Sequence, residues 1–302
     1  MSESQPFFQN DGNLHVIIPS KEARWIDFLI YSRLLNSPKG GWDFKSTWKV
    51  DGLERLADAE FIERWTDNSL RAQKTYPRPR TSEFKFARDF TVERRNAADS
   101  CATKPIGGCS ENSLNARLFQ NHGVFSSRGA MTCGTNPFTG PLLGYEVPLC
   151  DDSDGQFKID LLACDQIARR LEIIELKQAS NTNNSPLMAL VEGICYGLQL
   201  WRCSKELSRE SRDTAKRLND PRFELAPEHF NVMQIIIAAP SQYWDYWDCP
   251  NGGDEVVKDR MDEILKAVSL ETQRRGFTLT LGKFCHIKSE HVVAASNPSS
   301  PE

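Results

Sequence analysis

Two segments of this chain are apolar enough to be buried strands, yet each carries charge. Asp160 stands in Phe157-Lys-Ile-Asp-Leu-Leu162, and Glu175 and Lys177 stand in Leu171-Glu-Ile-Ile-Glu-Leu-Lys-Gln178. Side chains alternate across a strand, so Glu175 and Lys177 point to one face, about 7 Å apart along the chain. Pairing the two strands brings Asp160 beside them. An unpaired buried carboxylate is costly, and two side by side repel each other. One ammonium offsets only part of this. A divalent cation offsets the rest, because Mg²⁺ favours oxygen ligands and typically takes one or two carboxylates while keeping several waters. An ion so held activates water and stabilises charge on a phosphodiester. Lys177 could then orient the attacking water or stabilise developing negative charge. The plainer alternative is an ion pair of Lys177 with Asp160 or Glu175 at a sheet edge. A lone Glu-x-Lys is common in strands. It is the ensemble that points to chemistry: an Asp fifteen residues ahead across a turn-like connection, apolar flanks, and an amphipathic helix that follows.

The elements that would position these residues follow from periodicity. Residues 112–121 predict a helix with Leu114, Leu118 and Phe119 inward, ending near Gly123. Tyr145–Leu149 is a strand candidate, and Asp151–Gly155 is a strong turn. After an Asn-rich loop, Ser185 is a good N-cap and Pro186 suits the first helical position. The apolar face of that helix runs through Leu187, Leu190, Val191, Ile194, Leu198 and Trp201, and a mixed-charge stretch over Arg202–Arg217 continues it. Val232–Ala239 is a buried strand, a helix covers 255–275 with Gly276 as its stop, and Phe277–Leu281 alternates as a half-buried strand. From residue 112 the order is helix, three strands, helix, strand, helix, strand: a mixed sheet flanked by helices.

Before that domain, residues 1–105 read as a mostly helical region. Trp25, Phe28, Leu29, Leu34 and Leu35 form one helical face, and Leu53, Leu56, Phe61, Ile62 and Trp65 form a second. Asn13–Ile18 could be a short strand. Residues 71–95 interleave basic side chains, among them Arg78, Arg80, Lys85 and Arg88, with Tyr76, Phe84, Phe86 and Phe90. That pattern suits a nucleic-acid strand. It also suits a solvated connector whose aromatics tuck into the core. A polar tail over 294–302 predicts disorder.

Composition narrows the class. The chain has 302 residues, 39% of them hydrophobic and 26% charged, and a net charge of −4. A non-specific nucleic-acid coating protein is usually basic, whereas a metal-dependent nuclease need not be. No apolar run approaches the roughly 20 residues that span a membrane. Met1-Ser-Glu-Ser-Gln-Pro lacks the basic and apolar parts of a signal peptide, so the expectation is a cytoplasmic protein without a membrane partner. Nine cysteines without a Cys-x-x-Cys pair then read as reduced, partly buried thiols. No Walker-type loop, Gly-x-Ser-x-Gly elbow or His-Glu-x-x-His helix is present. Tyr243-Trp-Asp-Tyr-Trp247 reads as an aromatic cap over the core.

The Gly155-Gln-Phe-Lys-Ile-Asp160 and Glu175-Leu-Lys177 motifs resemble those of the PD-(D/E)XK nuclease superfamily. The resemblance covers residues 108–245, with Ile159 where the name-giving Pro would stand. It implies a restriction-endonuclease-like α/β domain over 106–293 and a nuclease that hydrolyses phosphodiesters, in DNA rather than RNA. It further implies Mg²⁺, replaceable by Mn²⁺, held by Asp160, Glu175 and the backbone carbonyl of Leu176, with Lys177 catalytic. Glu111 at the start of the first helix and Glu146 on the strand before Asp160 compete as an auxiliary acid. Gln178 extends the motif toward substrate or water. A homodimer would suit cleavage of both strands of a duplex. Where one branch of the superfamily has Gln-x-x-x-Tyr, this chain has Glu192-Gly-Ile-Cys-Tyr196, and Tyr196 reads as a packing residue. The rival expectation is an inactive nuclease-fold protein that binds nucleic acid or acts as a scaffold.

Overall fold

A computed structural model describes residues 66, 100–101, 104–123, 136–148, 158–181, 186–247 and 255–292. The helices expected before residue 66, the strand at 13–18, the basic segment 71–95, the turn at 151–155 and the tail from 294 lie outside them. So do Arg78, Arg80, Lys85 and Arg88.

From residue 104 on, the chain forms a 3-10 turn, Ile106–Gly108, and then α1, Glu111–His122. The Ser110 hydroxyl accepts the Ser113 N–H and caps α1, which fixes Glu111 as its first residue. Three strands follow: β1, Leu142–Pro148; β2, Lys158–Asp165; and β3, Arg170–Leu176. Next come α2, Pro186–Arg202, and α3, Ser204–Leu218. Then come β4, Val232–Pro240, and the short α4, Ser241–Tyr246. Last are α5, Glu255–Gln273; β5, Thr278–Ile287; and the single turn α6, Ser289–Val292.

The strands form one mixed sheet in the order β1-β2-β3-β4-β5. The first three run antiparallel, and β4 and β5 are added parallel to β3. Parallel neighbours need long crossovers, which α2–α3 and α4–α5 supply. The crossover helices α2, α3 and α5 bury one face of the sheet, and α1 and α6 bury the other. Strands covered on both faces read as near-continuous apolar runs, as β3 and β4 do.

The register of β2 and β3 is set by their turn. Asp165 Oδ1 accepts the N–H groups of Ile167 and Ala168, and Arg169 adopts φ 51°. Asp165 therefore faces Arg170, and the pairing runs on to Leu161 against Ile174. One step further puts Asp160 opposite Glu175.

Two glycines let α2 lie close to the sheet. A Cβ on Gly193 would stand 2.5 Å from Ile235 Cγ2, and one on Gly197 would stand 2.7 Å from Leu279 Cδ1. On the opposite layer, Arg117, Asn121 and His122 of α1 engage the carbonyls of His291 and Val292 and tie α6 down.

The mixed α/β sheet expected from the pattern is present, with two departures. The helix from Pro186 does not run on through Arg217. It breaks at Cys203, whose backbone leaves the helix at φ −83° and ψ 10°; beyond it the burial narrows to a face of Leu207, Ser208, Ser211, Thr214 and Ala215. And not every described cysteine is a free thiol: Cys101 and Cys109 form a disulfide around the Ile106–Gly108 turn, with their Cα atoms 5.3 Å apart, inside the range a disulfide bridges. No helix among the described residues is long and apolar enough to cross a membrane.

Candidate active site

At the C-terminal end of β3 the sheet splays. The Lys177 N–H turns to the Ala238 carbonyl of β4 at 2.9 Å. The Leu176 N–H points the other way, to β2, where Asp160 Oδ2 accepts it at 2.8 Å. The N–H and C=O of a strand residue lie on the same edge, so the Leu176 carbonyl faces Asp160 as well. The other oxygen, Asp160 Oδ1, accepts from the Asn115 amide of α1 at 3.3 Å. One carboxylate thus gathers β2, β3 and α1.

Glu175 and Lys177 are almost wholly enclosed, 3% and 2% exposed. The Lys177 ammonium donates to Glu175 Oε1 at 2.5 Å and to Glu192 Oε2 of α2 at 2.7 Å. Glu175 Oε2 is buried and meets no N–H donor, lying instead against the Glu192 carboxyl, and Asn115 Oδ1 likewise meets no donor. Buried polar atoms without a donor or acceptor are uncommon, and both of these lie in the same polar cluster.

Glu111 joins this group from α1. Its N–H donates to Gln178 Oε1 at 3.2 Å, so Gln178 braces the helix start rather than offering that oxygen to a substrate. Glu111 and Glu192 both act electrostatically on Asp160 and Lys177. Glu146 does not join. It occupies the β1 position facing Asp160, but its backbone adopts φ 45° and its carboxylate pairs with Lys158 at 3.7 Å.

Four carboxyls therefore surround one ammonium. Burial, reinforced by Glu111, pushes Asp160 up to about 7, with Lys177 and the Leu176 N–H pulling the other way. Burial likewise raises Glu175 well above the usual carboxylate range, against the pull of Lys177. Burial alone would discharge Lys177, but Glu175, Glu192, Asp160 and Glu111 outweigh it and keep the ammonium protonated. Tyr196 lies close enough for burial and the charges of Glu175, Glu192 and Asp160 to keep its hydroxyl un-ionised.

The structure brings together Asp160, Glu175, Lys177, Glu111 and Gln178 from the sequence reading, and leaves Glu146 aside. Sequence reasoning missed Asn115 and the role of Glu192. Asn115 stands at i+4 from Glu111 on α1, a spacing that puts both on one helical face. Glu192 lies on the first stretch of the helix that follows the Glu-x-Lys strand. The aromatic cap read at 243–247 is as expected for Tyr243, Trp244 and Trp247, which are buried.

Among the described residues, no three His, Cys, Asp or Glu side chains converge on a common point as ligands. Here Lys177 fills the gap between Glu175 and Glu192. Compared with protein-family models, with curated proteins and with solved structures, the chain matches none.

Proposed function

We propose that this protein is a Mg²⁺-dependent nuclease that hydrolyses phosphodiesters, with DNA as the preferred substrate. The observation that carries this reading is the crowding of buried carboxyls, Glu175 against Glu192 and at the register position facing Asp160, with one ammonium between them. The residues fit a hard divalent ion. Asp160, Glu175 and the Leu176 carbonyl offer oxygen donors, and Mg²⁺ needs no third carboxylate because waters complete its shell. When bound, the ion would supply charge stabilisation and a more acidic water.

The side chains divide the remaining work. Asn115 and the Leu176 N–H fix the rotamer of Asp160. The Lys177 ammonium, held protonated by its carboxylate neighbours, stands ready to stabilise negative charge on a phosphoryl oxygen and to orient water. Glu111 closes the site from α1. The order of helix, three-stranded meander, helix and parallel strand supports the likeness to the PD-(D/E)XK core.

Cleavage of plasmid and single-stranded DNA with Mg²⁺ or Mn²⁺ tests this reading. Wild type should cut, and D160A and K177A should lose activity by about a hundredfold or more, the usual scale for an electrostatic catalytic group. Equal activity in all three defeats it. Retardation of DNA without cleavage or metal binding would favour a nuclease-fold binding protein instead.

A further inference from the structure

Glu175 has two claims on it. Its Oε1 holds the Lys177 ammonium, and it is one of the two carboxylates that the proposed metal would use. An ammonium and a divalent ion repel, so both cannot crowd one carboxylate without a second anion to share the charge. That second anion is present. Glu192 Oε2 takes the same ammonium at 2.7 Å, and it comes from a different layer of the fold. Its backbone lies outside the sheet: α2 packs across β3 and β4, with Gly193 close to Ile235 and Gly197 close to Leu279 and Ile173. Lys177 itself begins where β3 ends, so its side chain is not held by a further pair of strands.

We propose that Glu192 is a holding residue for Lys177: when a divalent ion engages Glu175, the ammonium releases Glu175 Oε1 and stays on Glu192 Oε2. The site then takes its ion while keeping the lysine in place. The inference rests on the metal reading above and adds a positioning role for Glu192, which is not itself a ligand. Without Glu192 the ammonium keeps Glu175 as its hydrogen-bonded carboxylate and competes with the ion for it.

Mn²⁺ titration of the full chain, followed by the electron paramagnetic resonance of free Mn²⁺, tests this in wild type, E192Q, K177M and the double variant. Circular dichroism checks that each is folded. E192Q should bind Mn²⁺ about tenfold more weakly, the scale of one charge-assisted hydrogen bond. K177M should bind at least as tightly as wild type, and adding E192Q to K177M should change nothing. An E192Q affinity equal to wild type overturns the proposal. So does an E192Q loss that persists in full beside K177M, since Glu192 would then be a ligand. Should E192Q fail to fold, K177M decides alone: binding weaker than wild type overturns the exchange. Wild type that binds no Mn²⁺ defeats the metal reading itself, and the two failures are thereby told apart.

Discussion

The Lys177 ammonium lies 2.7 Å from Glu192 Oε2, joining the end of the central strand to the helix packed over it. Both ends are largely enclosed, with the side chains 3% and 14% exposed. A charge pair in such a place contributes less through its own attraction than through the penalty of breaking it. The site therefore gathers more carboxyls than its one ammonium can neutralise.

Removing the ammonium exposes that imbalance. K177M leaves Glu175 and Glu192 facing each other without a cation, and breaking a buried pair in this way costs about 3–5 kcal/mol. Urea unfolding of the metal-free protein at pH 8 measures the loss. It should shrink at pH 5, where the crowded carboxyls take up protons. A loss independent of pH would mean that packing, not charge, is what Lys177 supplies.

Asp160 gives the opposite sign. Its carboxyl is raised to about 7 in the folded protein, against an ordinary value of 3.8. The folded state binds the proton more tightly, so this contribution to stability is full below about pH 4 and is lost as pH rises through about 7. The metal-free protein should weaken over that window. D160N keeps an acceptor for the Leu176 N–H and removes the charge. It should be more stable than wild type at pH 8 by about 2 kcal/mol, less than the full shift gives because Asp160 keeps some contact with solvent. Destabilisation at pH 8 would instead make Asp160 a structural partner of Lys177.

Gly193 tests how α2 is seated. Alanine in a helix gains about 1 kcal/mol over glycine, but here the new Cβ meets the branched Ile235 side chain at 2.5 Å. G193V should cost about 1–3 kcal/mol by overpacking. It should also weaken Mn²⁺ binding, since Glu192 rides on the same turn. Valine tolerated without loss would show that the helix–sheet spacing is not fixed by this glycine.

Asn115 positions Asp160 from α1. N115A removes the donor to Asp160 Oδ1 and should cost about 1–2 kcal/mol in thermal or urea unfolding. DNA cleavage should fall with it, without complete loss. Unchanged cleavage would place Asn115 outside the working site.

The strands, the main helices and their order were legible because apolar period and turn residues agree along 110–290. Asp160, Glu175 and Lys177 were legible for a related reason: charge in an apolar strand breaks the pattern. Glu192 was not, because a glutamate on a helix breaks no pattern, and only the approach of α2 through Gly193 and Gly197 brings it to Lys177. Asn115 hid in the same way on α1. The break at Cys203 has no Pro or Gly to signal it. Glu146 shows how register alone underdetermines a side chain: its position faces Asp160, yet its backbone adopts φ 45° and its carboxylate pairs with Lys158.

The central claim is a divalent ion between Asp160 and Glu175. A crystal grown with Mn²⁺ and measured at the manganese absorption edge tests it directly. The account predicts an anomalous peak about 2.1 Å from an oxygen of Asp160 and of Glu175, with the Leu176 carbonyl in the shell and the Lys177 ammonium on Glu192. A crystal saturated with Mn²⁺ that shows no peak there, with Lys177 still bonded to Glu175, would contradict it.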